Sequence, residues 1–448
     1  MITTNLKDLE NEIAEVANQF GVDIDLSLTS RLVGDEFFVT VIFDGKSYEY
    51  AYVLRYFDEL ERKRQTKRFV KLSAYRALTS SFKCDLPWGA LTGIRPTRLA
   101  YQQGEGWQKF FTDLMRVSPS KTRLIEEILV EQQPYMVPAG SVNDLFVSIP
   151  FCPTRCAYCS FLSNEICKEK HVNEYIAALI EEIDHAKSLK KTYRCAYVGG
   201  GTPVALDDAS FARVLEKMKG DYLEFTVEAG RPDCITESKL DIMRSCGVTR
   251  VCVNPQTFHD KTLALIGRKH TAKDVVEKYE LVKRYGFNVN MDIIAGLPGE
   301  SLEDFIFTVD KAVELSPDNV TVHTLCLKKG SKLKESAERL TVSDVSDMVD
   351  YARKTLGDGA YKPYYLYRQK YMAGNLENTG YSLKNAQCVY NIDIMEETAN
   401  IVACGANGIS KRVYGEEGRI ERIAAPKDVA TYLNKLNILL QEKNKYFA

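Results

Sequence analysis

Between Asp144 and Leu325 strand-like and helix-like segments alternate, and this repeat limits the fold more than any other feature. Short runs rich in β-branched and apolar residues stand at Leu145–Ile149, Cys195–Val198, Glu224–Glu228, Arg250–Asn254, Val289–Ile294 and Val320–Leu325. Between them, apolar residues recur at helical spacing over Val172–Ser188, Phe211–Met218, Lys239–Ser245, Ala272–Tyr285 and Leu302–Leu315. Strands alternating with helices in this way pair in parallel through right-handed crossovers. Six such units are fewer than the eight of a closed barrel. The expected α/β fold is therefore an open, six-stranded, TIM-like partial barrel, with its chemistry at the C-terminal ends of the strands.

The flanks read differently. Residues 1–140 mix periods, as an α+β domain does: Leu6–Phe20 has helical spacing and Glu36–Phe43 reads as a strand. Two prolines and a glycine in Gln132–Gly140 predict a linker. The core is expected over 141–330 and a C-terminal region over 331–448. A chain of 448 residues suits two to three domains. A net charge of −2 gives no case for nucleic acid or an anionic membrane surface. The opening residues lack a signal-peptide core, and no apolar run is long enough to span a bilayer. Twelve cysteines in such a chain read as reduced thiols of a cytoplasmic protein.

Three of these thiols are set apart by spacing. Cys152, Cys156 and Cys159 form Cys-x3-Cys-x2-Cys directly after the first strand of the repeat. Three thiolates on one loop can hold three irons of a cubane cluster and leave the fourth open to a ligand. Structural zinc would need a fourth ligand. The nearest histidine, His171, lies twelve residues past Cys159, in a predicted helix. The other cysteines show no second cluster spacing and suit small core positions. After the second strand comes Tyr197-Val-Gly-Gly-Gly-Thr-Pro203. Its glycines let a ligand approach bare backbone N–H groups.

With these motifs the chain resembles the radical S-adenosylmethionine superfamily. Within it, the chain is most similar to the oxygen-independent coproporphyrinogen III oxidases, particularly the coproporphyrinogen dehydrogenase variant. Thr226–Ala229, Val253–Phe258, Ile266–His270 and Asn290–Gly299 carry the resemblance further. It implies a 4Fe–4S cluster on Cys152, Cys156 and Cys159, the catalytic centre. It implies S-adenosylmethionine held at its methionine end by Gly200, Gly201 and Thr202. Glu228, Gln256, Arg268 and Asp292 would meet its polar groups, with Phe146, Cys326 and Ile409 beside it. A branched side chain at Gly201 is expected to block that cofactor and spare the cluster.

The implied reaction is oxidative decarboxylation of coproporphyrinogen III to protoporphyrinogen IX in heme biosynthesis. A reductant such as a flavodoxin or ferredoxin would serve as partner. Ser148 stands where the family usually has histidine, and Ser160-Phe161 follows Cys159 where the oxidase type has another cysteine. These departures suit a divergent branch, which also holds heme-binding chaperones and enzymes that methylate or open a tetrapyrrole. For the substrate, Tyr361–Gly374 offers tyrosine faces, among them Tyr365 and Tyr367, with Arg368 and Lys370 for propionates. The same segment equally suits a half-buried strand. Arg95 and Arg98 in Leu91–Leu99 can bind an anion or open a capped helix. Lys328 and Lys329 read as a solvated face.

Overall fold

The computed structural model describes residues 1–21, 24–92, 95–159, 164–189, 191–326, 342–369, 372–415 and 417–447. The chain forms two units. One holds Met1–Glu126 with Tyr367–Glu377, and the other holds Glu127–Leu366 with Asn378–Ala448. Ser160, Phe161, Lys328, Lys329, Lys370 and Tyr371 lie outside the described residues.

The first unit is α+β. Strands β1 (Ile2–Thr4), β2 (Leu26–Val33), β3 (Glu36–Phe43) and β4 (Lys46–Val53) form one sheet in that order. Alternation along β3 buries Phe37, Val39 and Val41 on one face. Helix α1 (Glu10–Ala17) buries Ile13 and Val16, and α2 (Glu59–Phe82) buries Val70, Leu72, Ala74 and Leu78. Asp58 caps α2 by accepting from the Glu61 N–H. The segment Tyr367–Glu377, 240 or more residues downstream of Glu126, completes this unit.

The second unit carries the alternating repeat. Strands β5 (Val142–Ile149), β6 (Cys195–Gly200), β7 (Glu224–Glu228), β8 (Arg250–Cys252), β9 (Asn288–Ala295) and β10 (Asn319–Thr324) pair in parallel in sequence order. The six expected strands thus form. Beyond them the chain adds β11 (Lys362–Tyr367), β12 (Asn378–Ser382), β13 (Ala399–Cys404), β14 (Ile409–Tyr414) and β15 (Arg419–Ala424). The sheet order is β11-β12-β10-β9-β8-β7-β6-β5-β13-β14-β15, so it stays open. β13 is a seventh parallel strand, on the free side of β5. Antiparallel β12 and β14 border the parallel run on either side.

Alternation sorts each strand into two faces. Leu145, Val147 and Ile149 of β5 enter the core packed by α5 (Val172–Ser188), while Asp144, Phe146 and Ser148 face inward. Capping boxes at Thr271–Asp274 and Ser301–Asp304 start α8 (Ala272–Arg284) and α9 (Leu302–Leu315), numbered after α6 (Asp208–Met218) and α7 (Glu237–Ser245). At the N-terminal end of the strands, a buried ionic layer fills the interior. Arg250 donates to Glu224 at 3.1 Å, to Asn290 at 2.7 Å and to the Ala386 carbonyl at 2.9 Å. Charge is thereby paired at that end, and the ligand-accessible end is the C-terminal one. No described helix is long and apolar enough to cross a membrane.

Candidate active site

The cysteine loop leaves β5 at the C-terminal end of the sheet, where sequence order placed it. Its three thiols are partly exposed. Backbone contacts fix it without using sulfur. The Ala157 N–H donates to the Ile266 carbonyl at 2.9 Å, and Thr154 Oγ1 reaches the Gly267 carbonyl at 3.4 Å. Arg268 is the central clamp. Its Nη1 donates to the Gly230 and Asn254 carbonyls at 2.8 Å, and its Nη2 to the Tyr158 hydroxyl at 2.9 Å. The guanidinium also reaches the Cys156 thiol. One side chain thus ties the loop to the ends of β7 and β8. The aromatic residue before the last cysteine has a mechanical role: its hydroxyl is the point of attachment.

A second brace runs through Arg231. It pairs with Asp233 at 2.9 Å and donates to Thr154 Oγ1 at 2.9 Å. His270 stands 3.6 Å from Asp233. Arg231 and His270 hold Asp233 far below the usual carboxylate range, against the burial that would raise it. No sequence motif singled out Arg231; its partner two residues on was the available signal.

The glycine loop packs against the cysteine strand. The Gly201 N–H donates to the Ile149 carbonyl at 2.8 Å and the Thr202 N–H to the Phe151 carbonyl at 2.7 Å. Thr202 Oγ1 lies 3.4 Å from Cys152 Sγ. A Cβ on Gly201 would stand 2.5 Å from the Phe151 carbonyl oxygen. One on Gly200, at φ +105°, would meet Ser148 Oγ at 2.8 Å. This corrects the expectation for Gly201. The residue is needed for contact with the Cys152 strand, so Gly201→Val is expected to displace that strand and lose iron together with cofactor. Iron analysis beside a cofactor-binding titration checks this; full iron with lost binding would restore the simpler view.

The inner wall combines aromatics, carboxylates and one strained residue. Phe146 stacks with Tyr197 at 6.2 Å, and Tyr197 with Tyr390 at 4.5 Å. The Tyr197 hydroxyl donates to Glu228 Oε1 at 2.7 Å. Burial, with the nearby charge of Asp292, pushes the Glu228 carboxyl up to about 7, although the Tyr197 bond opposes this. Asp292 lies 3.6 Å from His323. Gln256 has φ +68°, a left-handed conformation that costs a non-glycine residue energy. Two backbone bonds hold it there, from its N–H to the Asp292 carbonyl and from the Ile294 N–H to its own carbonyl, both 2.9 Å. The strain aims a side chain whose buried Oε1 has no protein partner.

These features fit the cofactor pair. An acceptor left open on Gln256, carboxylates on Glu228 and Asp292, and a backbone cradle that a Cβ would fill match a ligand rich in donors. The loop supplies three thiols, which suits a cluster with one open iron, whereas structural zinc usually takes four protein ligands. Among the described residues, three potential metal ligands close to one another also stand at Asp144, Cys195 and Asp393.

Two further expected residues stand at strand ends. Cys326 is partly exposed just past β10. Ile409 opens β14 with 52% of its surface exposed. The preceding glycine loop is pinned from outside the sheet, with the Gly405 N–H donating to Glu182 at 2.6 Å. In the described part of the tyrosine segment, Tyr361, Tyr364 and Tyr365 are buried. Tyr365 is buried, lies 3.2 Å from Thr321 Oγ1 and crosses Gly380, where a Cβ would strike its ring. Tyr367 and Arg368 belong to the first unit. Arg368 is 5% exposed, donates to the Leu91 and Asn375 carbonyls at 2.8 and 2.7 Å, and lies over the Trp88 ring. Burial pulls its pKa down to about 9, which leaves it charged at neutral pH. Its Nη1 and Nη2 are bonded within the first unit while its buried Nε has no protein partner, and a side chain only 5% exposed does not offer the propionate contact expected of it.

Comparison with known proteins agrees with this geometry. The radical SAM superfamily model matches residues 146–312. A Bacillus subtilis protein named oxygen-independent coproporphyrinogen-III oxidase-like protein HemZ is 35% identical over 412 residues, covering 87% of this chain and 82% of its own. Heme chaperone HemW of the same organism is 33% identical over 196 residues, 42% of this chain and 51% of its own. Among solved structures, coproporphyrinogen III oxidase HemN from Escherichia coli aligns with a TM-score of 0.56 at 20% identity, over 68% of this chain and 71% of its own. At that identity the last match speaks for the fold.

Proposed function

Because the chain belongs to the radical S-adenosylmethionine superfamily, in its oxygen-independent coproporphyrinogen-III oxidase-like branch, we propose that it decarboxylates the propionates of coproporphyrinogen III oxidatively. The cofactors of this family are a 4Fe–4S cluster and S-adenosylmethionine, which together supply a carbon-centred radical able to take hydrogen from a substrate C–H bond. In each round a propionate loses a hydrogen atom to that radical, carbon dioxide leaves, and a one-electron acceptor takes the remaining electron, which leaves a vinyl group. A flavodoxin or ferredoxin fits as reductant. Support for the substrate comes from the similarity to HemZ, which covers 87% of the chain.

The residues divide the work. Cys152, Cys156 and Cys159 would hold the cluster, and Arg268 holds their loop in place through Tyr158. Gly200, Gly201 and Thr202 leave room for the methionine end of the cofactor. Gln256 offers its open oxygen, and Glu228 and Asp292 offer carboxylates. Phe146, Tyr197 and Tyr390 form an apolar floor that keeps water from the reacting end.

Glu228 makes the site sensitive to pH. Its ionised form is the better acceptor for cofactor donors, and it ionises only near pH 7. Cofactor affinity is expected to rise by up to roughly tenfold per unit between pH 5.5 and 7, then level off. Glu228→Gln should flatten this rise. The linked effect on the cofactor-free fold has the opposite sign. Between an ordinary carboxyl value and about 7 the folded chain binds more protons than the unfolded one, so its stability falls as pH rises through that window. Calorimetric titration from pH 5.5 to 8 checks the first, and unfolding midpoints across the same range the second.

The reaction is tested with reduced, reconstituted protein, S-adenosylmethionine, a one-electron acceptor and coproporphyrinogen III under strict anaerobiosis, read by mass spectrometry. Loss of two carboxyl groups per product supports the proposal. A gained methyl group or a cleaved ring assigns another tetrapyrrole reaction. The similarity to HemW favours a second reading, heme transfer without turnover. Stoichiometric heme binding with no 5′-deoxyadenosine formed would select it.

A further inference from the structure

The first unit contains a cavity that the reaction above does not use. It has a volume of about 340 Å³. One wall is the face of α2 that carries Arg64, Lys67, Arg68 and Lys71, and the other carries Arg95 and Arg98 at the start of α3 (Pro96–Gln103). Six cationic side chains therefore line it, with no acidic one among the described lining residues. The remaining surface includes Ala90, Leu91, Leu99 and Met115, which are apolar.

This arrangement is built into the fold. Lys71 is 7% exposed, at the closed end, whereas Arg64 is 54% exposed, at the rim. The Arg68 guanidinium is set by the Phe110 ring, 5.0 Å from its centroid. The second wall is anchored at the Leu91 carbonyl by Arg368, whose position is fixed in turn by Trp88 and Glu377. Glu377 also takes Lys121 at 2.7 Å. Nearby carboxylates offset part of the charge: Glu12 meets Lys67 at 2.5 Å and Glu61 lies 3.7 Å from Arg64. Glu15 also meets Thr92 Oγ1 at 3.3 Å, and Lys71, Arg95 and Arg98 have partners of their own; the cations still outnumber these carboxylates, and a bound anion relieves the remaining repulsion.

We propose that this cavity binds a compact organic polyanion, a phosphate ester or a di- or tricarboxylate. The volume lies at the small end of ligand pockets, which favours a compact ligand. Guanidinium forks suit phosphate and carboxylate oxygens alike, and the apolar wall suits a carbon body. Arg95 and Arg98, ambiguous in sequence, are assigned to the ligand by their position opposite the α2 cations.

Full-length reconstituted protein is titrated calorimetrically with pyrophosphate and, separately, citrate. At least one is expected to bind at a single site, and Arg68→Gln and Arg98→Gln should each weaken it roughly tenfold. Arg62→Gln, on the same helix but outside the cavity, should change affinity little. Binding of pyrophosphate alone assigns a phosphate ester, and of citrate alone a carboxylate. Absence of binding by both at millimolar concentration overturns the proposal, as does equal weakening by Arg62→Gln. The buried Lys71 is left unchanged because its loss risks the fold; Arg68 and Arg98 are only partly buried.

Discussion

Alanine at Cys152, Cys156 and Cys159 together is expected to give a folded chain that carries no iron. The parent, purified anaerobically, should hold about four irons and four sulfides, with broad thiolate-to-iron absorption. The loss should be complete because no fourth thiol of the described chain shares their loop. The fold should survive because most of the loop's anchors are backbone bonds, with sulfur contacts only from Thr202 to Cys152 and from Arg268 to Cys156. Ala157 is fixed to Ile266, Gly201 to Ile149 and Thr202 to Phe151 through the backbone, and Arg268 grips Tyr158. Circular dichroism should therefore match the parent while iron and absorption vanish. Retained iron in the triple variant, or stoichiometric zinc in the parent, would refute the assignment.

Glu182→Leu is expected to be the most damaging single change to stability. Glu182 sits in α5 and is 1% exposed. Its Oε1 accepts from Lys443 at 2.6 Å, and its Oε2 accepts from the Gly405 N–H at 2.6 Å and the Tyr432 hydroxyl at 2.7 Å. Lys443 is itself 2% exposed in the final helix, Val429–Phe447. Removing the carboxylate leaves a buried ammonium without its counter-ion, at a cost of about 3–5 kcal/mol. The double change Glu182→Leu with Lys443→Met should recover much of that loss, since no charge then remains buried. Urea unfolding of parent, single and double variants measures this. A single-variant loss below about 1 kcal/mol would mean that water or local movement already serves Lys443.

The two predictions differ in how far sequence could supply them. The thiols were legible because three ligands to one cluster must sit close together on the chain, and a loop after a strand is a local object. The six parallel strands were legible for the same reason, as period-two and period-3.6 patterns express nearest-neighbour geometry. The glycine loop stood out by its place after the second strand, whereas Glu228 and Asp292 were singled out only by the family resemblance. By contrast, Glu182 and Lys443 are 261 residues apart, and neither has a local pattern that announces the pair. β13 was missed as a seventh strand because it joins β5 from far downstream, outside the alternating repeat.

Arg368 shows the limit most clearly. Tyrosines beside a cation read the same whether they face a ligand or a core. In the structure Arg368 lies over the Trp88 ring in the first unit, and its Nη1 and Nη2 end on backbone carbonyls. Arg95 and Arg98 went the other way, gaining a shared cavity with Arg64, Lys67, Arg68 and Lys71. Sequence alone determined the spacing of the three thiols, the type of barrel and the order of its strands, because each depends on neighbours along the chain. Tertiary structure alone decided which charges are buried and which line a cavity, because burial and ion pairing depend on distances between segments that the chain order leaves open.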